Sequence, residues 1–146
     1  MPTARKSALV PQSCETLFDL VDDVERYPEF LPWCSRTQVF ERDEHTTHAR
    51  IDVDYHGLKS HVTTRNAKQR PHRMTLELEE GPFERFHGEW TFRSLGEEGC
   101  RVEFALEYKG AAGAVAALLE GVFAHIASTL VDRFVERAAS LEGGAS

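Results

Sequence analysis

The feature that most constrains the fold is a change of hydrophobic period along the chain. Between residues 35 and 108 apolar residues alternate with polar ones, as in Ala49-Arg50-Ile51-Asp52-Val53. From about residue 113 to 139 they instead recur every three or four residues. Alternation is typical of strands with one buried face, and the longer repeat is typical of an amphipathic helix. The sequence therefore predicts an antiparallel sheet followed by one C-terminal helix of roughly 40 Å.

Two shorter helices are predicted between the first strand and the rest of the sheet. Residues Thr3–Val10 form a strand candidate that ends before Pro11, and Ser13 can cap a helix that continues to Val24. The two prolines in residues 27–34 limit that segment to a short turn. Only the C-terminal helix carries a stripe wide enough to cover the apolar face of the sheet. We expect an α+β helix-grip domain, in which about seven curved antiparallel strands wrap around that helix.

The length and the hydropathy of the chain limit where it can act. A chain of 146 residues fits one domain, which we place at 1–140, with a disordered tail at 141–146. The longest apolar stretch, 111–119, has nine residues, whereas a helix needs about 20 to cross a bilayer. The first residues contain no apolar signal segment. We expect a cytoplasmic protein.

Charge is distributed unevenly along the chain. The net charge of −7 argues against DNA and general nucleic-acid binding. Residues 56–76 nevertheless contain no Asp or Glu. The cations of this stretch are Lys59, Arg65, Lys68, Arg70 and Arg73. The pattern leaves two interpretations open, a contact with an anionic partner and a solvated hairpin tip.

Motifs for catalysis or metal binding are missing from the sequence. The three cysteines lie 20 and 66 residues apart, which fits neither a disulfide framework nor a zinc site, so we expect reduced thiols. The sequence contains no nucleophile elbow, phosphate loop or dinucleotide fingerprint. We therefore predict no catalytic residue, no metal and no cofactor other than a bound ligand.

Several segments resemble one family over nearly the whole chain. These are Tyr-Pro-Glu-Phe-Leu-Pro-Trp-Cys at 27–34, Thr-Thr-Arg-Asn at 63–66 and Gly-Pro-Phe at 81–83. They are similar to the coenzyme Q-binding and ribosome-association-toxin proteins of the START-like superfamily of polyketide cyclases, dehydrases and lipid-transport proteins. The chain departs from the family pattern at Gln12 and Val62, where the family often carries aromatic residues, which could reshape the interior.

The resemblance implies a hydrophobic cavity between sheet and helix that binds a ubiquinone-type isoprenoid quinone or another lipid. The alternation of apolar and polar residues along the strands is also compatible with these side chains filling a solid core without a cavity. Phe30, Leu31 and Trp33 would form either a gate over the cavity or a static plug. The predicted cavity residues are Phe30, Leu31, Trp33, Val53, Tyr55, Leu76, Phe86, Trp90, Phe92, Phe104, Phe123 and Ile126.

Three functions follow from these observations. The first is non-enzymatic quinone binding in support of respiration or quinone synthesis, with transient contact at the inner membrane. The second is association with the large ribosomal subunit, in which the basic stretch contacts rRNA phosphates and subunit joining is blocked. The third is a polyketide cyclase or dehydratase, which requires a proton-transferring group inside the cavity. The candidates for that group are Tyr55, Tyr108, Glu120 and His125.

Overall fold

The computed structural model describes residues 3–110 and 113–145. The strands are β1 (Thr3–Val10), β2 (Cys34–Arg42), β3 (Thr46–Tyr55), β4 (Leu58–Gln69), β5 (Arg73–Glu80), β6 (Phe83–Ser94) and β7 (Cys100–Gly110). The helices are α1 (Cys14–Asp22) and α2 (Ala114–Ala145), with 3-10 helices at Val24–Glu29 and Gly96–Glu98. The element order agrees with the order predicted from the hydrophobic period.

The seven strands form one antiparallel sheet with the order β1-β7-β6-β5-β4-β3-β2. Strands β2 to β7 each pair with their neighbour in sequence, as in a meander. Only β1 pairs out of sequence, with β7. The chain passes from β1 at one edge to β2 at the other through α1 and the Val24–Glu29 helix, which confirms the two short helices predicted after the first strand.

The N-terminus of α1 is capped as its sequence predicts. The backbone N–H of Thr16 donates to Ser13 Oγ over 3.1 Å, which satisfies one of the free amides at the helix start. The buried inner side of α1 includes Leu17, Phe18 and Val21. The aromatic segment 27–34 begins in the 3-10 helix, which includes Pro28, and continues as a loop into β2.

Helix α2 provides the other half of the core. Its buried side includes Phe123, Ile126, Val131 and Phe134, and it packs against α1, β1 and β7. The backbone of α2 is helical as far as Ala145, whereas the sequence analysis predicts a disordered tail from residue 141. The helix can continue there because each residue added to an existing helix gains a hydrogen bond. Ser146 lies outside the described residues. Within 3–110 and 113–145, no helix is long and apolar enough for a membrane crossing.

The prediction of three reduced cysteines is wrong for two of them. Cys14 at the start of α1 and Cys100 at the start of β7 form a disulfide, with their Cα atoms 5.2 Å apart. They are 86 residues apart in sequence, so spacing alone could not reveal that the fold brings them together. Cys34 is a free, buried thiol, and burial raises its pKa to about 12.

Candidate ligand-binding site

A narrow cavity of about 80 Å³ lies between the inner face of the sheet and α2. Strands β3 to β7 form one wall, and the middle of α2 forms the opposite wall. Eight of the twelve predicted cavity residues line it: Trp33, Val53, Leu76, Phe86, Trp90, Phe104, Phe123 and Ile126. Val62, one of the departures from the family pattern, also lines it.

The volume of the cavity limits what it holds in this conformation. A cavity of roughly 150 Å³ accommodates benzene, and pockets for small molecules usually measure about 300–1,000 Å³. At about 80 Å³, the cavity is too small for a quinone ring. A lipid or quinone can therefore bind only if the walls move apart.

The other four predicted residues do not line the cavity. Leu31 is fully buried in the core, and Phe92 packs against Phe18 and Trp90 with ring centroids 5.5 and 6.1 Å away. The Phe30 ring lies between Phe134, 5.1 Å away, and the guanidinium of Arg137, which sits 5.1 Å above its face. Phe30 and Leu31 thus pack against the core beside the cavity. Tyr55, the fourth, lies outside the cavity at its mouth.

Trp33 separates the cavity from an open, polar cleft of about 340 Å³. Tyr55, His125 and Arg133 line this cleft, where the Tyr55 and His125 ring centroids lie 5.6 Å apart. The Trp33 carbonyl accepts a hydrogen bond of 2.9 Å from the amide of Asp54. The indole Nε1 is buried and has no hydrogen-bond partner in the described part of the chain. Trp33 therefore lies at the boundary between the cavity and the cleft.

Two buried polar residues of β4 were missed by the sequence analysis. Thr64 and Asn66 line the cavity, and each is about 95% buried, with exposures of 4% and 5%. Thr64 Oγ1 donates to Asn66 Oδ1 over 2.8 Å. Their inward direction follows from the pairing of β4 with β3, in which Thr64 lies opposite Ala49. The register of the β3–β4 hairpin is the information that could have identified them.

The predicted anion-binding cations are mostly paired within the protein. Arg70 makes two hydrogen bonds of 2.7 and 2.8 Å to Asp19, and Arg73 donates to Glu89 over 2.8 Å. Arg65 lies 3.7 Å from Glu79. Lys59 is exposed and has no ion pair among the described residues. Most of the positive charge of the acid-free stretch is therefore balanced by acidic residues from other elements.

Lys68 is the clearest correction to the predicted basic surface. Its side chain points inward and is only 4% exposed, and Nζ lies 3.0 Å from Asp22 Oδ2 at the end of α1. Thr47 Oγ1 donates to the other oxygen of the same carboxylate over 2.7 Å. Arg42 donates to the Asp22 backbone carbonyl over 2.7 Å. Lys68 therefore holds α1 to the sheet, and its ammonium is not available to an outside anion.

The four candidate proton-transferring groups do not converge on the cavity. Tyr55 and His125 face the cleft. Glu120 Oε2 accepts a hydrogen bond of 3.0 Å from the amide of Gly110, which ties α2 to the end of β7. Burial, together with the charge of Glu120, raises the pKa of Tyr108. None of the four lines the cavity, so the geometry adds no support for catalysis there.

A curved antiparallel sheet that wraps around a C-terminal helix, with an apolar cavity between the two, defines the START-like, helix-grip class of proteins. The ZhuI aromatase/cyclase of a Streptomyces species has this architecture. Its crystal structure superposes with a TM-score of 0.82, covering 94% of this chain and 93% of that one. At 16% identity, this similarity concerns the fold alone.

The sequence comparisons identify the family. Residues 10–135 match the model of the polyketide cyclase/dehydrase and lipid transport family. The chain is 43% identical over 139 residues to the ribosome association toxin RatA of Pseudomonas aeruginosa, covering 95% of this chain and 96% of that protein. It is 25% identical to a mitochondrial coenzyme Q-binding protein of Schizosaccharomyces pombe, covering 92% and 85%. The chain belongs to this family and, within it, to the group of RatA-like and coenzyme Q-binding proteins, as the resemblance predicts.

Proposed function

We propose that the protein binds a ubiquinone-type isoprenoid quinone between the sheet and α2, without catalysing a reaction on it. The cavity supports this proposal most directly. It is lined mainly by apolar side chains from both walls, and none of its lining residues carries a charge. Such a lining favours a neutral, apolar ligand, because an unpaired charge is costly to bury. The bound quinone would serve respiration or quinone synthesis, with transient contact at the inner membrane.

Ligand exchange would take place at Trp33. Its side chain lies between the cavity and the open cleft, so its displacement joins the two into one larger space. Phe30 and Leu31 stay packed in this mechanism, because their contacts with the core do not block the cleft. The identity of the ligand is tested by extracting the purified protein with organic solvent and analysing the extract by mass spectrometry. We expect an isoprenoid quinone in the extract, and the proposal fails if the protein neither carries nor binds quinones.

Filling the cavity should weaken ligand binding without unfolding the protein. Ala127 is buried and lines the cavity, so Ala127→Leu places an isopropyl group in the space that a ligand needs. We expect affinity for decylubiquinone to fall at least about tenfold, a change of about 1.4 kcal/mol. Binding can be followed through tryptophan fluorescence, since both tryptophans of the chain line the cavity.

The matched control is Ala139→Leu, which makes the same change at an exposed position of α2. This variant should bind decylubiquinone like the wild type. Equal affinities for wild type and Ala127→Leu, with both proteins folded by circular dichroism, would exclude the cavity as the binding site.

A second candidate function, association with the large ribosomal subunit, is favoured by the 43% identity to a ribosome association toxin. The outer face of the sheet offers a contact for rRNA phosphates. Arg93 and Arg101 lie directly opposite each other on β6 and β7, an arrangement of like charges that is unfavourable by itself. Arg101 lies 3.8 Å from Glu103, whereas Arg93 has no ion pair among the described residues. A bound phosphate would relieve this repulsion.

Ribosome binding through these arginines should depend strongly on salt. We expect cosedimentation with ribosomes in sucrose gradients to weaken as salt rises, because phosphate contacts release counterions. The double variant Arg93→Ala/Arg101→Ala should lower the slope of log affinity against log salt by about 2, roughly one for each lost contact. Arg133→Ala, on the other side of the molecule beside the cleft, is the control. An unchanged slope in the double variant would exclude this surface.

A further inference from the structure

The inner wall of the cavity contains an uncharged polar site on β4. Among the lining residues, most side chains are hydrocarbon, whereas Thr64 and Asn66 present a hydroxyl and an amide. A buried polar group without a full set of hydrogen-bond partners destabilises the folded protein. A polar pair in the wall of an apolar cavity is therefore unfavourable for folding, and such exceptions are expected where a ligand binds.

The hydrogen bonding of this pair leaves donors unused. The Asn66 side chain has two N–H donors and one acceptor oxygen. Its oxygen accepts from Thr64, and the amide N–H groups have no partner within residues 3–110 and 113–145. The pair therefore offers N–H donors that an oxygen of a ligand can accept.

The position of the Thr64–Asn66 pair determines how deep in the cavity the ligand oxygen would lie. On β4, Asn66 pairs with Thr47 of β3, at the end of the hairpin that lies close to α1. Ser60, six residues earlier on β4, pairs with Val53, which lies beside the loop that carries Trp33. Six residues along a strand span roughly 20 Å. Asn66 thus lies at the end of the cavity that is far from the Trp33 mouth.

We propose that the Thr64–Asn66 pair binds a neutral carbonyl oxygen of the ligand head group, which enters first and leaves the apolar tail toward the Trp33 mouth. This inference rests on the proposed function. A neutral oxygen is required because no charged residue lines the cavity. The nearby Lys68 ammonium is held by Asp22 at 3.0 Å. A carboxylate or phosphate head group would be buried without a counter-charge, which is far more costly than burial of a carbonyl.

The test compares two probes that differ only in their carbonyl groups, 2,3-dimethyl-1,4-naphthoquinone and 2,3-dimethylnaphthalene. For Asn66→Leu, we expect the affinity for the quinone to fall about tenfold, whereas the affinity for the hydrocarbon stays the same or rises. Thr64→Val preserves the shape of its side chain and should weaken quinone binding in the same direction. Gln69→Leu is the matched control, since it removes an amide from an exposed position of the same strand. Decanoate should bind none of these proteins tightly.

Infrared spectroscopy gives a second readout on the bound quinone. A carbonyl that accepts a hydrogen bond absorbs at a lower frequency than a free one, so the shift should be present in the wild type and lost in Asn66→Leu. Equal effects of Asn66→Leu on both probes, or an unshifted carbonyl band in the wild type, would overturn the head-group site while the cavity proposal stands. If neither probe binds the wild type, the proposed function itself fails.

Discussion

Replacing Lys68 with methionine is expected to lower the free energy of unfolding by about 3 kcal/mol. The Lys68 ammonium is the partner of the Asp22 carboxylate at 3.0 Å, in a site where the lysine side chain is almost fully buried. Removal of one member of a buried ion pair costs about 3–5 kcal/mol because the other charge loses its compensation. We expect the lower end of that range, since Arg42 Nε remains 3.7 Å from the same carboxylate. Urea denaturation measures the difference.

Two further variants separate the ion pair from other effects of the substitution. Lys59→Met makes the same change at an exposed position without an ion pair in the described chain, and should alter stability by less than about 0.5 kcal/mol. The double variant Asp22→Leu/Lys68→Met removes both charges and should recover part of the loss. If Lys68→Met were as stable as the wild type, Lys68 would not hold α1 to the sheet.

Replacing Phe134 with alanine should have an effect of similar or greater size, about 3–5 kcal/mol. The ring is 99% buried and joins three parts of the fold. Its centroid lies 5.4 Å from Tyr27, 5.1 Å from Phe30 and 5.2 Å from Trp90. Because Phe134 also lines the existing cavity, removal of its ring would enlarge that cavity. The thermal midpoint and urea denaturation should both show the loss.

The control for this substitution is Phe40→Ala on β2, where the ring is 48% exposed. That variant should lose less than about 1 kcal/mol, since it creates no cavity. A small loss for Phe134→Ala would contradict the packing of α2 against the aromatic residues of the sheet and the 3-10 helix.

The elements of the fold could be predicted because their hydrophobic periods differ. Alternation in segments such as 49–55 and 102–108 identified the strands, and the longer repeat around Phe123 and Phe134 identified the helix that they wrap. Strand β4 carries a weaker pattern, because three of its inward residues are Thr64, Asn66 and Lys68. Their direction depends on the register with β3, which hydrophobicity alone does not reveal.

The parts of the site that were missed depend on contacts between distant segments. The basic stretch was predicted as a surface because its neighbours in sequence lack acids, whereas Asp19, Asp22 and Glu89 approach it from α1 and β6. The Cys14–Cys100 disulfide likewise joins residues that sequence spacing keeps apart. The volume of the cavity depends on how all its side chains pack, so neither alternation nor the family resemblance could predict it.

The measurement that tests the central claim most directly is the position of bound decylubiquinone by NMR. Intermolecular nuclear Overhauser effects should connect the ligand with methyl groups of Val53, Ile126 and Ala127, which line the cavity from both walls. Exposed apolar side chains, such as Leu9 and Leu118, should show none. Contacts confined to Leu9, Leu118 or Leu141, with the cavity methyl groups unchanged, would place the ligand on the surface and contradict binding between the sheet and α2.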